Sequence, residues 1–354
     1  MSSLIADIVE FDVEKHPQAD RLSIAKIKDK AWQCVFNHEQ WGLKAGDTGK
    51  GLYIPIEAVI PESLIQEHNL ANYVHKGRIR SIRLRSILSQ GLLLPIGGSI
   101  PNRPVGTNLA EELGILKYEP PIPMHLSGEI ERAPEGWSRY TDIENWKNFP
   151  DILKNGEQVF ITEKLHGACL EVYKWEDRLW ISSKNLVLKR NNANSYWRAV
   201  LPYEQILLER MENGDHLFGE LLGVQDLKYG YERGNVGIRF FDYMKRDGTY
   251  LNYGSYGGKG FIEWMEDTFS PDDKTSRCEE AYKLMVPFLG AFDYSAEKME
   301  ELSKGYTTIK GVNHIREGIV IRPMKERFDE KIGRVILKLI NDEYLLTENR
   351  TEYH

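Results

Sequence analysis

Lys164 is preceded by Glu163 and followed by Leu165, His166 and Gly167, and a lysine in such a setting is a candidate nucleophile. A lysine attacks only as the neutral amine. A protein that uses one must therefore draw its proton away with nearby cations or by desolvation. Gly167 would let the backbone approach a phosphate closely. Taken alone, a K-x-x-G segment is as readily a surface lysine after a strand. Four more segments follow it in order: Phe218-Gly219-Glu220-Leu221, Ile238 to Tyr243, Glu317 to Arg322, and Ile336 to Leu339. Glu220 and Glu317 each stand beside a glycine and among apolar neighbours, an odd place for a solvated acid. A strand-end salt bridge is the plain explanation. The chemical one is a divalent metal, which phosphoryl transfer needs because charge spreads over the phosphate oxygens. Lys338 interrupts the apolar run Val335 to Ile340, and a charge in a buried strand must be paired or functional. An anionic phosphate would satisfy it. The ordered set reads as one active site for transferring a nucleotide onto a lysine.

The elements that must hold these residues are mostly strands. Gln158 to Thr162 leads into Lys164, which places the lysine and Gly167 on a loop at a strand end. Cys169 to Tyr173, Leu179 to Ser182, Leu217 to Leu221, Ile238 to Phe241, Ile319 to Ile321 and Arg334 to Leu339 read as further strands. Amphipathic helical stretches lie between them at Tyr203 to Met211 and Glu279 to Leu289. Successive strand residues face opposite ways, so one of Phe240 and Phe241 packs in the core and the other is free to stack on a purine. The alternation alone does not choose between them. Ile143 to Leu153 has the spacing of a short helix.

The first part of the chain has another character. Ser23 to Ile27, Gln33 to Phe36, Gly51 to Ile54 and Gly91 to Leu94 are strand-like and punctuated by turn residues such as Gly46-Asp47 and Pro61. Short strands without alternating helices suit a small β-barrel. A stretch rich in Pro and Gly follows, from Gly97-Gly98 to Pro120-Pro121-Ile122-Pro123, and cannot build a core. Arg78, Arg80, Arg83 and Arg85 form the densest basic cluster, and the alternations R-I-R and R-L-R place paired arginines on one strand face. In a chain of net charge −7 such a stripe wants anions.

That net charge, with a pI near 5.8, excludes polyanion binding by bulk charge; any nucleic-acid contact must be local. Cys34, Cys169 and Cys278 are scattered without a C-x-x-C, which suits a reducing cytosol and argues against a disulfide framework or a zinc site. Acidic residues stand where a signal peptide would have its apolar core, and no apolar run approaches the roughly 18 residues of a membrane span. A cytoplasmic protein without membrane association is expected.

The segments resemble motifs I, Ia, III, IIIa, IV and V of the covalent nucleotidyltransferases, which include ATP-dependent DNA and RNA ligases and mRNA-capping guanylyltransferases. Within that superfamily the chain is most similar to the RNA ligase 5 family of nick-sealing RNA ligases, and the likeness covers nearly the whole sequence. The resemblance implies an α+β protein: an embellished OB-fold domain over 1–115, a connector over 116–150, and a nucleotidyltransferase domain of antiparallel sheets with helices over 151–354. The segment His16-Pro17-Gln18-Ala19-Asp20-Arg21-Leu22 also resembles the signature of OB-fold tRNA-binding domains. Carried onto matching positions, Lys164 would be the nucleophile adenylylated by ATP and Glu163 would help read adenine. Lys184 and Asn185 of motif Ia would contact ribose or phosphates, with Gly167 beside them. Glu220 and Glu317 would hold metal, largely through its waters; Phe241 would stack on adenine, with Phe240 the fallback; and Lys338 would touch the α-phosphate. Arg83 and Arg85 would align the leaving pyrophosphate with a second metal, so ATP and two Mg2+ or Mn2+ ions are the implied cofactors. The implied reaction seals 3′-OH/5′-phosphate nicks through lysyl-AMP and an adenylylated 5′ end, on nicked duplex nucleic acid with an RNA 3′-OH end, by a monomer.

Two positions depart from the family pattern. His166 stands where many relatives have Asp, and Lys338 stands alone where motif V often has two lysines. A DNA ligase and a capping guanylyltransferase are the rival enzymes. Both usually place the OB domain last, whereas here the barrel comes first. A non-enzymatic RNA-binding module is disfavoured because Lys164, Glu220, Glu317 and Lys338 are all present.

Overall fold

A computed structural model describes residues 4–118, 129–225, 227–232, 234–255, 258–269 and 277–347. The Pro120 to Pro123 stretch and the side chain of Cys278 lie outside the described residues. The chain divides into two units. One takes the described residues up to 118, Glu144–Asp151, and those from Asp342 onward; the other takes most of the chain between Ile152 and Asn341, with the segment ending at Ile143.

In the first unit, the strand Asp7–Lys15 alternates over its middle: Val9, Phe11 and Val13 are buried while Glu10, Asp12 and Glu14 are exposed. That period of two directs one face inward. It pairs antiparallel with Leu22–Ile27 on one side and Thr48–Ile54 on the other. Gln33–Asn37 and Leu92–Pro95 extend the sheet to five strands. The sheet wraps around Ile8, Leu52, Ile54, Ile60 and Leu94. Phe11 meets Phe36 and Trp41 edge-on, at 5.5 and 5.4 Å between ring centres. This is the expected small barrel.

The second unit is built from two antiparallel sheets. In one, the strands run in the order Leu337–Ile340, Gly318–Pro323, Gln158–Lys164, Phe288–Asp293. In the other, the order is Val187–Leu188, Arg178–Ser182, Ala168–Trp175, His216–Leu222, Gly237–Met244. Helices Ser195–Val200, Glu204–Arg210 and Phe261–Phe269 bring Trp197, Leu207, Phe261 and Met265 onto a core with Leu170, Ile181, Leu217 and Phe240. A buried ionic cluster joins the sheets. Asp242, from the second sheet, lies 3.5 Å from Arg322 of the first and 2.6 Å from Arg334 of the small hairpin Phe328–Asp329/Gly333–Arg334, and accepts a 2.6 Å bond from the Tyr140 hydroxyl. Removing one partner of such a group typically costs about 3–5 kcal/mol, because the other charge is left buried.

Some elements differ from expectation. The stretch Ile143 to Leu153 is not a helix: it holds a short strand, Glu144–Asn145, and one 3-10 turn, Trp146–Asn148. Pro150 follows at once and disfavours helical backbone at the residue before it. The second amphipathic helix covers Arg277–Lys283, and its expected end is the strand Phe288–Asp293. Nor do the four arginines share a strand face. Only Arg83 lies within a strand, Ile82–Leu84, while Arg78 is buried in a 2.5 Å pair with Glu57.

Candidate active site

Lys164 closes the strand Gln158–Lys164 and pairs across to Gly318; one row back, Thr162 pairs with Val320, which pairs with Lys338. Residues two apart on a strand share a face, so Lys164 and Lys338 project to the same side, two strands across and two residues along, roughly 12 Å apart at the usual strand spacing and rise. Gly318, opposite Lys164 on the middle strand, carries no side chain there. Lys338 is only 6% exposed, as its apolar neighbours required. Glu317 enters from the turn just before Gly318–Pro323, fully buried, and accepts a hydrogen bond from the Lys164 Nζ.

Glu220 comes from the other sheet. Gly167 explains how near it lies: a Cβ built on Gly167 would stand 2.3 Å from the Leu221 carbonyl oxygen and 2.8 Å from Glu220 Cγ. The loop after Lys164 therefore rides directly on the Glu220 strand. Burial pushes the Glu220 carboxyl up to about 8, with the Glu317 charge adding; Lys164 and the Gly167 N–H oppose the shift. Two carboxylates crowded this way want a cation. Among the described residues no group of three or more His, Cys, Asp or Glu is arranged to hold a metal. Glu220 and Glu317 are thus a two-oxygen-donor set, which fits a hard divalent ion that keeps several of its waters.

Glu163 points to the opposite face, one residue out of phase with Lys164. Its Oε2 accepts 2.8 Å bonds from both the backbone N–H and the hydroxyl of Thr308, with Arg316 Nε at 3.8 Å. Phe240 is fully buried in the core, stacked on Phe269 at 6.0 Å. Phe241 is only half-buried. The register shifts there: Gly219 pairs with Phe240 and Phe218 with Asp242, so Phe241 is the extra residue of a bulge. Bulges re-aim side chains, and Phe241 packs near Leu165, Leu222 and Tyr229. Lys184 lies in a turn closed by the 2.9 Å bond from Ser183 N to Leu186 O, 3.0 Å from Asp142; Asn185 is exposed beside it. The turn is anchored by Glu171, whose buried carboxylate takes bonds from Ser182 at 2.8 Å, Trp137 at 2.9 Å and His216 at 2.5 Å.

Arg83 and Arg85 belong to the first unit. Arg83 donates to the Ser86 carbonyl at 3.1 Å and pairs with Glu343. Arg85 and Ser86 form the tip between Ile82–Leu84 and Ile87–Ser89, both with left-handed backbone at φ 45° and 70°.

Three residues of the site carried no motif. The Tyr229 hydroxyl oxygen accepts a 2.7 Å bond from the backbone N–H of His166, and burial and the Glu317 charge push its phenol up. His166 itself is buried, with its backbone N–H as the donor in that bond. Thr308 and Arg316 hold Glu163 from 145 or more residues away. Nothing local in the sequence marks them.

An OB-fold domain matches residues 5–96, and the RNA ligase family matches residues 157–340, more than half of the chain. No curated protein matches. Among solved structures, a Naegleria gruberi RNA ligase variant with AMP and Mn is 26% identical, covers 97% of this chain and 98% of its own, and superposes with a TM-score of 0.74. Another variant of that ligase, with ATP and Mn, is 26% identical over 97% of this chain and 98% of its own, with a TM-score of 0.72. The same ligase with PPi gives 26% identity, 97% and 98% coverage and a TM-score of 0.71. An OB-fold unit earlier in the sequence, a two-sheet unit later in it and the family match across the motif-bearing strands agree: this chain belongs to the RNA ligase family.

Proposed function

We propose that this chain is an ATP-dependent RNA ligase that seals 3′-OH/5′-phosphate nicks through a lysyl-AMP at Lys164. The observation that carries the reading is the hydrogen bond from Lys164 Nζ to buried Glu317, beside Glu220 and on the sheet face that also bears Lys338. In the first step the Nζ lone pair attacks the α-phosphorus of ATP. A P–N bond forms, the bond to the pyrophosphate oxygen breaks, and Glu317 is the group already placed to take the Nζ proton. In the second step a 5′-phosphate oxygen displaces Lys164 from AMP; in the third, a 3′-OH attacks that 5′-phosphate and AMP departs. The Naegleria structures with ATP and with PPi hold the substrate and the leaving group such a first step has.

Glu220 and Glu317 would hold Mg2+ or Mn2+, which when bound offsets charge on the phosphate and favours the neutral lysine. Lys338 supports the α-phosphate, Lys184 and Asn185 the ribose or phosphates, Phe241 the adenine face and Glu163 its edge. Arg83 and Arg85 neutralise the departing pyrophosphate, where bidentate guanidinium suits phosphate oxygens. The substrate is a nicked duplex whose 3′-OH strand ends in RNA.

The test is incubation with ATP labelled at the α-phosphate, then with nicked duplexes ending in RNA or DNA. Wild type should retain label and seal the RNA-ended nick. Lys164→Ala should retain none, yet still seal a nick already bearing 5′-AMP. Label surviving in Lys164→Ala would refute the assignment, and equal sealing of DNA ends would remove the RNA preference.

A further inference from the structure

We infer that Thr308 is a positioning residue that sets the nucleobase preference of the site, by fixing Glu163 so that one carboxylate oxygen is reserved for the 6-amino group of a purine. This rests on the ATP reading above. Glu163 is 1% exposed, and its two oxygens have unlike surroundings. Oε2 takes both donors of Thr308 at 2.8 Å each, with the Arg316 guanidinium at 3.8 Å. Oε1 is buried and has no hydrogen-bond partner among the described residues. Buried polar atoms are nearly always satisfied, and an exception asks for a missing partner. Since the neighbours of Oε2 are donors or a cation, the carboxylate offers lone pairs only. The missing partner is therefore a donor.

The surroundings say what kind of molecule carries that donor. The Glu163 N–H is bonded to the Pro287 carbonyl at 2.8 Å. Val286, Leu165 and Ile309, each within two residues of Pro287, Glu163 or Thr308, form one apolar cluster with Tyr229, Val312 and Phe241. Apolar surroundings with one unpartnered acceptor suit a flat ring bearing an amine. Adenine presents an N–H at position 6. A 6-oxo purine presents a carbonyl there, and two acceptors would face each other. Thr308 is itself held: Thr307 N bonds to the His314 carbonyl at 3.0 Å and Arg316 N to the Gly305 carbonyl at 2.9 Å, so the loop that presents it is closed at its base.

Thr308→Val keeps the shape and removes only the hydroxyl, and Thr308→Ser restores it. The measurement is the rate of covalent enzyme–nucleotide formation with three triphosphates: ATP, inosine triphosphate with a 6-oxo group, and purine ribonucleoside triphosphate with no 6-substituent. Wild type should prefer ATP to both analogues. In Thr308→Val the KM for ATP should rise about 10-fold at near-constant kcat, as for lost uniform binding. The unsubstituted purine should be unaffected, so the ATP advantage over it falls about 10-fold, and Thr308→Ser should recover it. If ATP and the unsubstituted purine lose equally, Thr308 only holds the loop and the inference is overturned; no change with either overturns it too. A wild-type enzyme that is labelled but does not distinguish ATP from the unsubstituted purine overturns the inference and leaves the ligase reading intact. A wild-type enzyme labelled by none of the three removes the ligase reading, and this one with it.

Discussion

Replacing Gly167 with Ala adds one methyl where the loop after Lys164 crosses the Glu220 strand. The added carbon would stand 2.3 Å from the Leu221 carbonyl oxygen, and Cβ atoms do not approach closer than 3.0 Å, so loop and strand must part by about 0.7 Å, the difference of the two. That neighbour is backbone, which cannot swing aside as a side-chain tip can. Overpacking of this kind costs about 1–3 kcal/mol, and each kcal/mol lowers the melting temperature by about 2–4 °C for a unit of this size. The effect on chemistry should be larger. The displacement separates Lys164 from Glu220, and a misplacement near 1 Å at a reacting centre costs about 10²-fold in rate. Single-turnover formation of the enzyme–AMP adduct, measured well below the melting range, should fall by that order while the variant remains folded. A Gly167→Ala enzyme that melts and reacts like wild type would show that the close crossing does not hold the site together.

Other outcomes follow from the same geometry. The folded-state value of Glu220, about 8, lies above its ordinary value; its stabilising contribution is therefore full at low pH and lost as pH rises through about 8. Metal-free wild type should lose melting temperature between about pH 5 and pH 9 more steeply than Glu220→Gln, and parallel curves would refute this. Tyr229→Phe removes the 2.7 Å bond to the His166 backbone and should cost about 1–3 kcal/mol of stability, read by denaturant titration; an unchanged midpoint would count against it. Arg83→Ala with Arg85→Ala should slow adenylylation by on the order of 10²-fold and spare sealing of pre-adenylylated nicks. Equal loss in both assays would assign the arginines to nucleic acid instead.

The strands that carry the motifs were legible because each is a short apolar run with one residue out of character. Lys338 inside Val335–Ile340 could only be a buried charge, and it is buried. The barrel-first order was also legible, from short strands without helices between them. Alternation required one of Phe240 and Phe241 to be buried, but which one depends on a bulge at the partner strand's Phe218 and Gly219, a register that local sequence does not encode. Ile143, Trp146, Phe149 and Leu153 have helical spacing, yet Pro150 and the capping Asn145 break the helix into one turn. Arg78 looks like its neighbours in the basic cluster and is instead paired with Glu57, a partner 21 residues away. Thr308, Arg316 and Tyr229 act through contacts that only folding creates, and their residue types announce nothing.

The first unit is threaded from three separate stretches of chain, and its polar ties cross between them. Trp32 Nε1 donates to Asn148 at 2.7 Å, Lys147 Nζ to Gln90 at 3.0 Å and to Asp342 at 2.8 Å, and Gln90 to Asp342 at 2.9 Å. A fragment ending at residue 118 would leave Trp32 and Gln90 without these partners, so the unit is not a cassette that one recombination event could transplant. Synthesis runs in the same direction as the problem. Asp342 follows the Lys338 strand, so the lock around Lys147 and Gln90 closes only after the ribosome has made both sheets of the second unit. The barrel that begins the protein is among the last parts of it to be completed.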